Sequence, residues 1–332
     1  MEDALRRAQA VFCFPAFDVV PDSVATWRVG RLVEIVDRRD ASHPQRGIEL
    51  QENHGRRIWS NIVRHPATTH IPAVFIGCAG WSIASARAGS FPGGGSHLER
   101  YARIFNAVEI NSSFYRPHQP RTYARWAESV PAGFRFAVKV PKAISHTKRL
   151  RDCGAEMQVF LDQASCLGAK LGILLLQLPP GLAFDPRIVL PFLDDLRERH
   201  HGAVACEPRH VSWFRANVDA ALRERGIARV AADPARVPRA AAPAGDRKAE
   251  YLRLHGSPRM YYDAYSDETL VCLARRLTRP GKRTRERWCI FDNTAEGHAI
   301  DDAVKLKALI ADCSASQHLD PTKEGAGFRR RG

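Results

Sequence analysis

From residue 72 to about residue 312, short apolar runs alternate with amphipathic helical stretches, and this rhythm limits the fold more than any other feature. Strands are expected at 73–78, from Val108, and at 134–140, 171–178, 203–207, 227–232, 251–255 and 287–292. The run from Val108 shows the logic. Val108 and Ile110 alternate with Glu109 and Asn111, so one face is apolar and the other carries a carboxylate and an amide. The run 171–178 is nearly all aliphatic, as a strand covered on both faces should be. Helical spacing falls between these runs. Ser96 and Glu99 form a capping box before Leu98, Tyr101, Ala102 and Phe105, and further stripes follow near 119–129, 157–164, 189–196, 215–225, 266–278 and 297–312. Segment 234–248 is Ala/Pro-rich and lacks a helical stripe; it reads as a linker or a lid.

Eight strands with about seven helices over about 240 residues have the size and order of a TIM (β/α)8 barrel. The rival, an open doubly wound sheet, usually carries a Gly-rich phosphate turn after its first strand, and no G-x-G-x-x-G occurs there. The expected organisation is an N-terminal extension over 1–70, folded or partly disordered, a barrel over 71–314, and a flexible basic tail over 315–332.

In such a barrel, chemistry collects at the strands' carboxyl ends. Those ends carry Trp81, Glu109 and Asn111, followed by Tyr115, Lys139 and His146. Next come Gln177, Glu207, Arg209, His210 and Trp213, and then Asp233, Arg253, His255 and Asn293. Leu252 and Leu254 face one way, Arg253 and His255 the other. Glu109, Lys139, Glu207 and His255 are the candidate catalytic groups. Trp81, Asn111, Tyr115, His146, Gln177, Arg209, His210, Trp213, Arg253 and Asn293 are candidate substrate contacts. The plain alternative is ion pairing without chemistry, such as Glu109 with Arg253 or Glu207 with Lys139.

The motifs Gly77-Cys78-Ala79-Gly80-Trp81, Val108-Glu109-Ile110-Asn111-Ser112-Ser113-Phe114-Tyr115, Phe136-Ala137-Val138-Lys139, Gln177-Leu178-Pro179-Pro180, Glu207-Pro208-Arg209-His210, Arg253-Leu254-His255-Gly256 and Phe291-Asp292-Asn293-Thr294 occur in a fixed order. In this the chain resembles the YecE-like family, domain of unknown function 72, over about residues 72–312. The resemblance implies a TIM barrel with a polar pocket at the strand ends and supplies no reaction. Cys78-Ala79 stand where the family usually has Thr-Ser, and Asp292 where it usually has Asn.

Three functions suit these residue types. The first is metal-assisted hydrolysis of a phosphate-containing or nucleic-acid substrate. A divalent metal would sit on Glu207, Asp233 and His255, with Lys139, Arg209 and Arg253 neutralising phosphate. The second is metal-free chemistry, with Glu207 or Glu109 as base, His255 as acid and Lys139 as a Schiff-base nucleophile if its pKa is lowered. The third is non-catalytic nucleic-acid or nucleotide binding. It draws on the net charge of +14, from 50 Lys+Arg against 36 Asp+Glu, and on aromatic faces such as Trp81 and Tyr261. The eight cysteines form no C-x-x-C, and Cys78, Cys206 and Cys289 lie in strand-like runs. They read as small core residues in a reducing, cytoplasmic protein. No apolar run approaches the roughly 20 residues of a membrane span. The sequence does not fix an oligomeric state.

Overall fold

The computed structural model describes residues 70–318; most of the expected N-terminal extension and the end of the basic tail lie outside the described residues. Ten strands occur among them: β1 (Ala73–Cys78), β2 (Ala107–Ile110), β3 (Arg135–Lys139), β4 (Leu171–Gln177), β5 (Ala203–Glu207), β6 (Ile227–Arg229), β7 (Ala231–Asp233), β8 (Ala244–Gly245), β9 (Ala249–Leu254) and β10 (Glu286–Phe291). Seven α-helices accompany them: α1 (His97–Ala102), α2 (Pro120–Glu128), α3 (Gly154–Ser165), α4 (Pro186–Arg199), α5 (Ala216–Glu224), α6 (Asp267–Thr278) and α7 (His298–His318). The capping box of α1 forms as expected, with Ser96 Oγ accepting from Glu99 N and Glu99 Oε2 accepting from Ser96 N. No helix of the described residues is long and apolar enough to cross a membrane.

The strands form two sheets, β1-β10-β9-β7 and β2-β3-β4-β5-β6-β8, parallel throughout except for the short β8. Two junctions join them into the eight-position ring of a TIM barrel. At the first, the expected sixth strand is broken at Val230. Its first half, β6, pairs with β5, and its second half, β7, pairs with β9. At the second, side chains bridge β1 and β2. The Asn106 amide accepts from Ile76 N at 2.9 Å and donates to Val74 O at 2.7 Å, as a strand peptide would. The Tyr101 hydroxyl accepts from Cys78 N at 2.8 Å and donates to Ala107 O at 3.0 Å. This seam is tight: a Cβ on Gly77 would lie 2.0 Å from Ala107 O.

Alternation along the strands separates two cores. One face packs under the helices, with Ile76, Val108, Val138, Leu174, Leu176, Leu252 and Leu254 among its members. The other fills the barrel, with Phe75, Ala137, Ile173, Leu175, Ala205, Tyr251, Trp288 and Ile290. Trp288 stacks on Phe75 at 4.6 Å and fits because position 172 is glycine, where a Cβ would lie 2.5 Å from the indole. Above this apolar plug the inward positions turn polar, as the alternation of Glu109 and of Arg253 with His255 predicts. Where the sequence lacks a helical stripe, Pro238–Ala241 makes one 3-10 turn, and β8 runs antiparallel beside β6. Pro-rich backbone thus replaces the barrel helix after the sixth strand position.

Candidate active site

Arg253 is the centre of the polar layer. It is wholly buried, and carboxylates from three other strands or strand ends converge on it. Its Nη2 and Nε donate to Glu109 Oε1 at 2.7 Å and Oε2 at 3.0 Å. Nη1 reaches Glu207 Oε2 at 3.3 Å, and Nη2 lies 3.0 Å from Asp292 Oδ2. Burial opposes this charge, but Asp292, Glu109 and Glu207 outweigh it and hold the guanidinium more firmly protonated than usual. Tyr251 completes the pairing of Glu109 by donating to Oε2 at 2.9 Å. Glu109, a candidate catalytic group, therefore has its oxygens committed to Arg253 and Tyr251. The expected Glu109–Arg253 ion pair forms; a Glu207–Lys139 pair does not.

Glu207 sits at the end of β5 beside Gln177, its register partner on β4. Gln177 Nε2 donates to both carboxylate oxygens, at 3.1 and 3.0 Å, and Arg209 Nε donates to Oε1 at 3.0 Å. Burial pushes the Glu207 carboxyl up, but Arg253, His255 and Arg209 hold it well below the usual carboxylate range. His255 lies between two carboxylates, with Nδ1 3.0 Å from Asp292 Oδ2 and Nε2 3.2 Å from Glu207 Oε1. Nε2 is also 3.3 Å from Arg209 Nη2. A proton on Nε2 is thus accepted by Glu207, and a lone pair there is met by Arg209. This nitrogen has both an acceptor and a donor within reach, an arrangement that suits proton transfer. Asp292 is itself held below its ordinary range, since Arg253 and His255 outweigh burial.

Lys139 ends β3 and stands apart from these pairs. Its Nζ donates to Asn111 Oδ1 at 3.0 Å and lies 4.3 Å from the centre of the Phe114 ring. No carboxylate among the described residues lies within ion-pair distance of it. Burial, then Arg253, depress the amine to about 8, against the smaller opposing pull of Glu109, Glu207 and Asp292. Ser113 fixes the neighbouring backbone by donating to Lys139 O at 2.6 Å and Ile110 O at 2.8 Å. His146 lies on a π-helical turn, Ala143–Thr147, with its ring edge-on to Phe114 at 4.9 Å. Burial and then Lys139, Lys142 and Arg209 depress its pKa, so the mouth presents a positive field on this side. Tyr261 covers the opposite side. Its hydroxyl is 3.5 Å from Arg209 Nη1, its ring is edge-on to His255 at 5.6 Å, and its φ is 73°.

Several expected contacts have other work. The fully buried Trp213 donates Nε1 to Leu182 O at 2.9 Å and packs on Phe184, so it is core. His210 caps the turn Val211–Trp213, with Nδ1 accepting from Ser212 N at 3.2 Å. Asn293 donates to Asp302 Oδ2 at 2.8 Å and Asp263 O at 3.0 Å. Trp81 packs edge-on to Trp126 at 5.0 Å, and Tyr115 is 73% exposed. The expected metal set also fails to assemble. Asp233 pairs in register with Leu254, whose side chain faces the helices, whereas Arg253 and His255 face inward. Its carboxylate takes a hydrogen bond from Tyr265 at 2.9 Å instead. Among the described residues no group of three His, Cys, Asp or Glu side chains is disposed to hold a metal ion. The cation among the inner carboxylates is Arg253, so the residues present do not fit a divalent metal there. Tyr251 joins the inner layer although it was not among the site candidates; it could have been found two residues before Arg253 on the same strand face.

Relatives share this framework. A protein from Escherichia coli K12 described as UPF0759 protein YecE is 38% identical over 145 residues, which is 41% of this chain and 52% of that protein. Its counterpart from Escherichia coli O157:H7 is 37% identical over the same length. The match thus spans about half the length of these curated relatives. A DUF72 family protein from Thermotoga maritima has a crystal structure that matches with a TM-score of 0.60 and 26% identity, covering 72% of this chain and 99% of that one. One from Enterococcus faecalis matches with a TM-score of 0.60 at 20% identity, covering 72% and 95%, which bears on the fold alone. The profile described as "Protein of unknown function DUF72" matches residues 75–325, and the chain belongs to that family.

Proposed function

We propose that the barrel mouth is a metal-free active site for a small anionic carbonyl compound. Lys139 supplies the amine, as base or as imine-forming nucleophile, and His255 Nε2 gives and takes the proton. The observation that carries this reading is the buried Lys139 amine, bound to an amide oxygen rather than a carboxylate and depressed to about 8. At pH 7 roughly one such amine in ten is unprotonated, against fewer than one in a thousand at an ordinary lysine. Imine formation needs that neutral amine, and loss of water from the carbinolamine needs a proton donor. Glu109, Asp292 and Gln177 are positioning residues here, since they hold Arg253, His255 and Glu207 rather than facing a ligand. Metal-assisted hydrolysis of a phosphoester, which the residue types also admit, finds no ligand set among the described residues. Phosphate remains an anion the substrate can carry, in keeping with the +14 charge.

Reductive trapping tests the reading. The full chain is incubated with a panel of 2-oxo acids and phosphorylated aldehydes and ketones in the presence of cyanoborohydride, then mapped by mass spectrometry. A single adduct on Lys139, absent from Lys139→Met, is expected for at least one compound. Adducts spread over surface lysines without enrichment at Lys139 would refute the nucleophile.

A further inference from the structure

Beside the inner layer lies a small pocket between the ends of β5, β7 and β9, whose space of about 20 Å³ takes one water-sized group, such as an oxygen of a ligand reaching in from the mouth. Arg209, Arg236 and His255 provide polar lining, and Phe214, Ala240 and Met260 provide apolar lining. Arg236 and Ala240 belong to the segment that replaces the missing barrel helix. That replacement brings a guanidinium to the mouth.

The charges around this pocket are unequally shared. Glu207 is the one carboxylate lining it, and that group already serves Arg209, Arg253, His255 and Gln177. Arg209 commits Nε to Glu207 and has Nη2 3.3 Å from His255 Nε2, while Nη1 has only a 3.5 Å contact to the Tyr261 hydroxyl. A guanidinium has five N–H donors, so Arg209 keeps capacity for another acceptor. Arg236 is exposed and forms none of the ion pairs found among the described residues. Two cations with unused donors thus flank a pocket whose only carboxylate is saturated.

We propose that this pocket is an oxyanion subsite, in which Arg209 and Arg236 hold a carboxylate or phosphate group of the substrate. The inference rests on the reading of the mouth as an active site and names the substrate class: a short compound with a terminal oxyanion. Paired guanidinium donors match the planar carboxylate and the phosphate oxygens alike. The apolar wall of Phe214, Ala240 and Met260 limits what can be attached beside that group.

Calorimetric titration of the full chain with inorganic phosphate and, separately, with malonate tests this at constant ionic strength. Saturable binding of at least one anion is expected. It should weaken about tenfold in Arg236→Gln, an exposed position where folding is not at stake, and at least as much in Arg209→Gln. Phosphate alone would point to a phosphate ester, malonate alone to a carboxylic acid. No saturable binding of either anion, or binding unchanged in Arg236→Gln, overturns the subsite. Lys139→Met should still bind the anion. Failure of amine chemistry is therefore distinguishable from failure of the subsite.

Discussion

Replacing Arg253 by Met should be the most damaging conservative change in the barrel interior. The side chain is wholly buried and touches three carboxylates, Glu109 at 2.7 Å, Asp292 at 3.0 Å and Glu207 at 3.3 Å. Met fills much of the volume but leaves those groups without their shared cation. Removing one partner of a buried ion pair costs about 3–5 kcal/mol. Three carboxylates place this variant at the upper end, softened because Glu207 retains Arg209 and Glu109 retains Tyr251. For a domain of this size each kcal/mol shifts the melting temperature by roughly 2–4 °C, so a fall of roughly 10–20 °C is expected. The pH dependence carries the diagnosis. In the parent, Glu207 and Asp292 are held below their ordinary values, so their stabilisation is present at neutral pH and is lost as pH falls through the folded values. In the variant these groups, buried and deprived of the Arg253 charge, titrate higher than in the parent, so protonation relieves them. The penalty should therefore shrink between pH 8 and pH 5 in paired thermal melts. A loss below about 1 kcal/mol, or one independent of pH, would refute the claim that Arg253 neutralises the inner layer.

Tyr101→Phe should cost about 1–3 kcal/mol by chemical denaturation, because Cys78 N loses its acceptor at the β1–β2 seam; an unchanged midpoint would show that the seam holds without it. Gly77→Ala should destabilise by about 1–3 kcal/mol or more, since its methyl group meets Ala107 O and one strand must shift. Trp213→Phe should lower the melting temperature while leaving anion binding intact, because Trp213 lies in the core; weakened binding with unchanged stability would return it to the site.

The ring of strands was legible because its cause is local. Period-two alternation marks which residues face the barrel interior, and Arg253 and His255 face inward as that pattern requires. The same rule, applied across strands, would have excluded Asp233: its register with Leu254 puts it on the helix side, but register cannot be read from one chain segment. The seam was illegible for a similar reason. Tyr101 looks like one more apolar member of a helix stripe, and only the fold brings its hydroxyl between Cys78 N and Ala107 O. His210 shares a motif with Glu207 and Arg209, Trp213 follows three residues later, and proximity in sequence suggests a shared task. The chain turns after Arg209, so the later pair caps and packs the turn instead. The break at Val230 and the placement of Arg236 arise from backbone with no repeating pattern, so no periodicity announced them.

The most direct test of the account is the titration of Lys139 itself. With ε-¹³C-labelled lysine and Lys139→Arg to assign the resonance, NMR follows its ionisation in the intact chain. The midpoint should lie at about 8, well separated from the surface lysines. A midpoint at the ordinary lysine value of roughly 10.4 would overturn the role of Lys139 as base or nucleophile, because the amine would then stay protonated at neutral pH.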